Sequence, residues 1–186
     1  MIKLTNIFRA MLTVAPKNHV RYYLNTIHVE HRGDKCIIEA TDESMALRVS
    51  VPTFFFKGVL SGVGDQILMS RESLEKALDN TRRVKVHEID GRPTMEKMVD
   101  GVYVLGTKLE VMEGRFPFLD TAKPRPDGTH SVSIDTGRLS VLLGAISLLR
   151  ADCVRDISKL GVGGNVGIMG HVANIDYVAF LAPASR

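Results

Sequence analysis

The segment that decides the fold is residues 36–51, Cys-Ile-Ile-Glu-Ala-Thr-Asp-Glu-Ser-Met-Ala-Leu-Arg-Val-Ser-Val. In its second half every other residue is apolar, which predicts a strand with one face in the core; these residues are Met45, Leu47, Val49 and Val51. The first half, 36–41, also has strand character. Asp42 lies between the halves and is typical of a tight turn, since its side chain can bond the nearby backbone.

Outward from this segment, one pattern occurs three times: a short apolar stretch, a capping residue and a helix with an apolar stripe. The caps are Thr5, Ser70 and Asp135, which are 65 residues apart in both intervals. Such side chains accept a hydrogen bond from a first-turn amide. The stripes are Ile7, Phe8, Met11 and Leu12; Leu74, Ala77 and Leu78; and Leu139, Leu142, Leu143 and Ile146. The regular interval predicts three repeated units.

Strands are predicted after each helix. Besides residues 36–51, they are 84–89, 102–111, 156–162, 165–170 and 177–181, with turns at 33–34, 90–93 and 161–164. Each unit thus runs strand, helix, antiparallel strands. This order predicts an α+β fold with helices on one face of the sheets.

The chain has one linker-like stretch, Lys-Pro-Arg-Pro-Asp-Gly-Thr at 123–129, where two prolines and a glycine oppose regular structure. We therefore expect a complete domain at 1–124, made of units 1–62 and 63–124. The third unit, 125–186, would be a half-domain.

Composition narrows the functional class. Of 186 residues, 45% are hydrophobic and 24% charged, which is typical of a globular protein. No apolar run reaches the length of a membrane span, and the N-terminus lacks a signal-peptide layout, so a cytoplasmic location is expected. The net charge of +3 is spread along the chain without a basic tail, so any contact with DNA would be local.

Three motifs carry a resemblance to a known family. Residues 19–25 are His-Val-Arg-Tyr-Tyr-Leu-Asn, residues 40–47 are Ala-Thr-Asp-Glu-Ser-Met-Ala-Leu, and residues 108–117 are Lys-Leu-Glu-Val-Met-Glu-Gly-Arg-Phe-Pro. In this order they resemble the middle domain of the bacterial DNA polymerase III beta subunit, the replicative sliding clamp. There an Arg-Tyr-Tyr-Leu-Asn strand leads to an Ala-Thr-Asp turn. Residues 177–184 are similar to that family's last strand and Pro-containing tail.

The resemblance implies a non-enzymatic DNA tether with a clamp-like fold and no cofactor. In that family, domains join edge to edge into a ring, helices line a hole for duplex DNA, and a polymerase or other replication protein inserts a short peptide into an apolar pocket. Carried over by position, the pocket residues are Leu24, Thr41, Ser44, Met45, Ala46, Pro117, Thr121, Leu181 and Pro183.

The resemblance also implies a DNA-facing set on and beside the helices: Arg9, Lys17, Asn18, Arg71, Lys76, Arg82, Arg83 and Arg138. These residues would make non-specific contacts with the phosphate backbone. The alternative is an ordinary solvated helix surface, which Glu72, Glu75 and Asp79 on the second helix favour. The apolar surface of the third helix could instead be a subunit interface.

The chain departs from the family in two ways. Glu43 follows the Ala-Thr-Asp turn where the family commonly has Gly, and Ala46 would make the pocket floor shallower. A bacterial clamp chain has three domains, whereas this chain has three half-domain units. Two third units could pair, so that chains associate through residues 125–186 and four chains complete a ring. The alternative function is an interaction module with a clamp fold that never encircles DNA.

Other motifs give weaker indications. His28, His31 and Cys36 suggest a metal site, but residues three apart on a strand point to opposite faces. Gly161–Gly167 misses the spacing of a phosphate-binding loop. Asp42 has no partner with a catalytic signature, so we expect neither an enzyme nor a metalloprotein. The Phe-Phe-Phe cluster at 54–56 is either a core contact or an interface.

Overall fold

The computed structural model describes residues 3–56, 59–60, 62, 64–78, 84–89, 92–99, 102–104, 106–117, 119–122, 134–149, 166–172 and 175–182. The helices are α1 (Leu4–Val14), α2 (Arg71–Leu78) and α3 (Thr136–Leu148). The strands are β1 (Thr26–Arg32), β2 (Lys35–Thr41), β3 (Met45–Pro52), β4 (Gln66–Ser70), β5 (Val84–Ile89), β6 (Arg92–Val99), β7 (Val102–Val104), β8 (Val166–Val172) and β9 (Ile175–Leu181). Short 3-10 turns cover Tyr22–Leu24, Thr53–Phe56 and Leu119–Ala122.

Two antiparallel sheets organise these strands. The larger has the order β4-β1-β2-β3-β9-β8, and the smaller has the order β5-β6-β7. Strand β9 pairs with β3 from Met45 opposite Leu181 to Ser50 opposite Asp176. The predicted third unit therefore shares a sheet with the first. The α+β class is confirmed, while the division at residue 125 stays a prediction.

The helices lie on one face of the larger sheet, as predicted. The apolar positions of residues 45–51 enter the same core as the buried sides of all three helices. In that core the rings of Phe8 in α1 and Phe56 meet edge to face, with centroids 6.3 Å apart. Helix α3 packs closely against α1, so this helix of the third unit contacts the first unit within the chain. The half-domain at 125–186 stays a prediction.

Two of the three predicted helix starts are confirmed. Asp135 accepts a bond from the Arg138 amide at 3.0 Å, and Ser70 Oγ accepts one from the Ser73 amide at 3.4 Å. The first start is wrong: α1 begins at Leu4, and Thr5 is buried in its first turn. In α3, Leu142 and Ile146 are buried as predicted, but Leu143 is 43% exposed.

The opposite face of the larger sheet is covered as well, which the alternating pattern did not predict. Ala46 and Arg48 point away from the helices, yet each is at most 5% exposed. Residues 106–117 and 119–122 are hereafter called the strap, and the later part of the strap crosses this face. Phe116 and Leu119 of the strap form a second apolar cluster, with Ala46, Leu68 and Phe180 beneath them. Strand β3 is therefore buried on both sides.

The strap also joins the two sheets. The Met95 amide donates to Thr107 O at 3.1 Å on the side of β6. The amides of Ser70 and Met112 make 2.8 Å bonds with Glu110 O and Leu68 O on the side of β4. The strand predicted at 102–111 is thus a short β7 followed by the strap, because the later residues bridge two sheets.

Several predicted features lie outside the described residues. They are residues 90–91 of the turn predicted at 90–93, the linker at 123–129, the strand at 156–162 and the glycine turn at 161–164. The strands predicted at 165–170 and 177–181 correspond to β8 and β9. In the described part of the chain, no helix is long and apolar enough to cross a bilayer.

Candidate functional site

The motifs at 19–25, 40–47 and 108–117 come together at one end of the larger sheet. Arg21 forms an ion pair with Glu43, which joins the first motif to the second. A Cβ atom added at Gly114 would lie 3.4 Å from Tyr23 Cβ, so the strap runs closely past the first motif. Ala46 and Phe116 share the second apolar cluster, which joins the second motif to the third. Segments that are distant in the sequence are thus neighbours in the fold.

The turn after β2 is held by side chain to backbone hydrogen bonds. Asp42 Oδ1 accepts from the amides of Ser44 at 2.9 Å and Met45 at 2.7 Å. Thr41 Oγ1 donates to Met45 O at 2.8 Å and lies 3.1 Å from the Glu43 amide. The carboxylate of Asp42 is thereby engaged in the turn, as the sequence predicted, and this geometry fixes the turn backbone.

Several of the predicted pocket residues lie in or next to this turn, and most of those whose burial is described are buried. Leu24 ends the 3-10 turn beside Asn25, and Met45 lies opposite Leu181 in the sheet. The Ala182 amide donates to Ser44 O at 2.7 Å, so the chain end is fastened to the turn. Less than a tenth of the surface is exposed at Leu24, Thr41, Met45, Ala46 and Leu181, whereas Ser44 and Pro117 are half-buried. Thr121 lies in the turn Leu119–Ala122, and Pro183 lies outside the described residues.

A buried network of charged side chains lies under the strap, and the sequence reasoning missed it. Glu39 Oε2 is 2.9 Å from His28 Nδ1, and its other oxygen accepts from Arg48. Arg48 also pairs with Asp120 of the strap, as does Arg32 at 2.8 Å. Burial raises the pKa of Glu39, but hydrogen bonds from His28 and the charge of Arg48 outweigh burial and lower it. The network therefore fastens the strap to the sheet.

The network follows from the register of the strands, which the sequence reasoning did not predict. His28 lies opposite Glu39, and Glu39 lies opposite Arg48, so three polar residues form a row across β1, β2 and β3. Phe116 of the strap stacks on the His28 ring with centroids 4.8 Å apart, so its ring covers the His28 end of the row. Sequence alternation assigns each residue to an outward face, but it does not show which strands are neighbours or what covers them.

The structure contradicts the prediction that Arg71 faces DNA. Arg71 is only 8% exposed, and its guanidinium donates to Ala15 O at 3.0 Å and to Leu12 O at 2.9 Å. It also pairs with Glu75. These carbonyls belong to the C-terminal end of α1, where a helix lacks internal donors and favours a cation. Arg71 is thus a cap that joins α2 to α1.

We expect Arg71→Ala to lower the free energy of unfolding by about 2–3 kcal/mol, because buried helix-end carbonyls lose a charged donor. Urea denaturation measures the change. Lys76→Ala is the matched control, since Lys76 is exposed and pairs with Glu72 in the same helix. Equal stability of the Arg71→Ala variant and the wild type would show that the cap contributes nothing.

The described remainder of the predicted DNA-facing set lies on or beside the three helices. Arg9, Lys17 and Asn18 are exposed on and after α1, and Arg138 is half-buried in the first turn of α3. Lys17 lies 3.6 Å from Glu75, and Lys76 pairs with Glu72, so acidic groups accompany the cations of α2. Arg82 and Arg83 lie outside the described residues.

The fold separates two of the residues that suggested a metal site, His28 and Cys36. His28 points into the buried network, whereas Cys36 lies in the helix-side core, where burial raises the pKa of its thiol to about 11. Among the described residues, no three His, Cys, Asp or Glu side chains are grouped as metal ligands. Phe56 belongs to the core, and Phe54 is 67% exposed and stacks on Phe55.

A cavity of about 430 Å³ lies between the two sheets, beside the strap. Its apolar lining includes Val59, Ile67 and Leu109, and Glu88 and Arg92 contribute charges. The predicted pocket residues are absent from its lining, so the cavity is separate from the region around the turn.

This architecture is the fold of the bacterial DNA sliding clamps, so the resemblance in the sequence is confirmed at the level of the fold. The beta clamp of Helicobacter pylori, solved with 3,4-difluorobenzamide, superposes with a TM-score of 0.64 at 10% identity, over 100% of this chain and 65% of that one. The DNA polymerase III beta subunit of Thermotoga maritima gives 0.65 at 12% identity, over 98% and 63%. The Bartonella birtlesii sliding clamp bound to griselimycin gives 0.60 at 16% identity, over 98% and 64%.

The similarity is one of structure. No protein-family model matches the sequence, and no curated protein matches it. The chain spans slightly less than two thirds of the length of the clamps with which it superposes.

Proposed function

We propose that this protein is a clamp-like DNA tether that holds a replication protein near duplex DNA and carries out no chemistry itself. It would encircle or sit on DNA as an oligomer and bind its partner through a peptide pocket beside the turn at residues 41–45. The observation that carries the proposal is the convergence of the three motifs at one end of the sheet. The Arg21–Glu43 pair and the contact of the strap with Tyr23 hold these motifs together.

The arrangement of the helices supports the DNA-binding part of the proposal. All three lie on one face of the larger sheet, so one side of the molecule is helical, as it is in the clamp design that the resemblance implies. The cations proposed to contact the phosphate backbone are Arg9, Lys17, Lys76 and Arg138, with Asn18 as a polar contact. A closed ring needs only loose contacts of this kind, because topology keeps it on the DNA.

Association through residues 125–186 belongs to the proposal. Within the described part of the chain, β8 is one of the two edge strands of the larger sheet. Helix α3 exposes three large apolar side chains, those of Val141, Leu143 and Leu148. Both features lie in the third unit, where they are available to a second copy of the chain.

The charge on the helices favours the alternative function, a clamp-fold interaction module that does not encircle DNA. Arg71 is engaged with α1, and Glu72 and Glu75 accompany the remaining cations of this region. Such a module would bind its protein partner through the same pocket.

Retention on circular DNA distinguishes the two functions. The protein is mixed with nicked plasmid at a concentration where subunits dissociate, concentrated, and passed through a sizing column in high salt, which screens phosphate contacts. A ring is expected to stay with circular plasmid and to be lost once a restriction enzyme linearises it. Loss from both forms supports the interaction module. Sedimentation giving only monomer at micromolar concentration would exclude the ring.

A further inference from the structure

Glu43 has a backbone conformation that its side chain does not favour. Its φ is +76°, and it is the one non-glycine residue with positive φ in the described part of the chain. The bonds from Asp42 and Thr41 impose this conformation, which glycine would adopt without steric cost. The turn geometry therefore does not require a glutamate, and a residue held in this conformation motivates a hypothesis of function for its side chain.

The side chain of Glu43 crosses to Arg21 at the surface. Arg21 directly precedes the 3-10 turn that ends at buried Leu24, and Glu43 follows Thr41 by two residues. The ion pair consequently joins the two segments that supply Leu24 and Thr41 to the predicted pocket. The exposed fractions of the two side chains are 61% for Arg21 and 39% for Glu43, so a ligand can reach both.

The two partners differ in their freedom to move. Three hydrogen bonds within the turn fix the backbone of Glu43, and its carboxylate stays near the turn. Arg21 has a long, mostly exposed side chain that can swing into solvent. An incoming cation can therefore replace Arg21 at Glu43 while Arg21 remains solvated. An incoming carboxylate can pair with Arg21 only by drawing it away from Glu43, which leaves the Glu43 carboxylate unpaired beside the ligand.

The surroundings of Arg21 suit a peptide with apolar side chains. Val20 is 98% exposed and Tyr22 is 53% exposed, one on each side of Arg21 in the sequence. The ring of Tyr22 rests edge-on against Tyr23, with centroids 6.0 Å apart, which holds part of this surface in place. A ligand that covers these side chains would lie next to the ion pair.

We propose that Arg21 and Glu43 form an ionic latch across the mouth of the predicted pocket. The latch selects partner peptides that carry a lysine or arginine next to their apolar residues. This inference rests on the proposed peptide pocket and adds the charge of the partner. Glu43 is the specificity-determining residue, and Arg21 is the group that the peptide displaces.

The test uses three fluorescein-labelled peptides that share a Leu-Phe pair. They differ only at the residue next to this pair, which is Lys, Gln or Glu. Wild-type protein is expected to bind the Lys peptide about five- to tenfold more tightly than the Glu peptide. The Lys peptide gains one exposed attractive contact with Glu43, and the Glu peptide has a repulsive one. The preference is expected to shrink in high salt. Fluorescence anisotropy gives the dissociation constants.

Two variants separate this inference from the proposed function. Glu43→Gly is expected to abolish the preference and to raise Tm by about 2–4 °C through relief of the turn. Arg21→Ala is expected to keep the preference, because the Glu43 carboxylate is then free to pair with the lysine of the peptide. Equal preference in Glu43→Gly and wild type, with binding intact, overturns the latch alone. If none of the proteins binds any of the peptides, the pocket and the latch are both rejected.

Discussion

Replacing Glu39 by Gln is expected to lower the free energy of unfolding by about 3 kcal/mol, because a buried cation loses a charged partner. The Glu39 side chain is 2% exposed and lies between His28 and Arg48. The variant leaves the Arg48 guanidinium beside a neutral amide, while its ion pair with Asp120 is kept. Urea denaturation followed by circular dichroism measures the loss.

Glu72→Gln is the matched control, since Glu72 is also paired but lies exposed on α2. Its urea midpoint is expected to equal that of the wild type. Similar midpoints for both variants would contradict the assignment of the buried network as a fastening for the strap.

The same network gives a pH dependence with a definite sign. The pKa of Glu39 is lower in the folded protein than its ordinary value of 4.5. A carboxyl of this kind contributes stability at pH values above 4.5 and loses that contribution as the pH falls through the folded-state pKa. The difference in stability between wild type and Glu39→Gln is therefore expected to shrink in acid, and a difference independent of pH would contradict this origin.

Replacing Gly106 by Ala is expected to destabilise the protein by about 2–3 kcal/mol, because the new methyl group would clash with backbone atoms that cannot rotate away as a side chain can. A Cβ atom at this position would lie 1.5 Å from Met95 O and 2.6 Å from Met95 C, both backbone atoms of β6. Relief requires the strap to move away from β6, which breaks the bond from the Met95 amide to Thr107 O. Thermal unfolding measures the effect.

Gly144→Ala is the control, and its expected change in stability has the opposite sign. Gly144 lies within α3, and a Cβ atom there would meet nothing within 4 Å. Alanine is favoured over glycine inside a helix by about 1 kcal/mol, so this variant is expected to be more stable than the wild type. Destabilisation of both variants would indicate a general intolerance of glycine replacement and would remove the argument about the strap.

Much of the fold was predictable from local patterns. The alternation of residues 45–51 placed Met45, Leu47, Val49 and Val51 in the core, where the structure has them. Ser70 and Asp135 marked helix starts because capping depends on bonds within one turn of chain. Thr5 failed as a cap, since a threonine can equally be buried in the first turn of a helix.

The candidate site was only partly predictable. The motifs at 19–25, 40–47 and 108–117 lie in segments that meet at one end of the sheet, and their role as a binding site stays a prediction. Their joining contacts, such as the ion pair of Arg21 with Glu43, depend on a turn conformation that the residue type disfavours. The residues assigned to DNA were less well predicted, because a basic side chain on a helix does not show whether it faces solvent or, as with Arg71, the end of another helix.

The sequence by itself determined the α+β class, the sides of the strands that face the helices, and the turn around Asp42, because these depend on interactions between near neighbours in the chain. The tertiary structure alone decided that β9 pairs with β3, that α3 packs on α1, and that the strap buries a charged network on the far side of the sheet. These features depend on which distant segments become neighbours. Local periodicity carries no record of that choice, since an outward-facing Arg48 has the same spacing whether water or Asp120 lies above it.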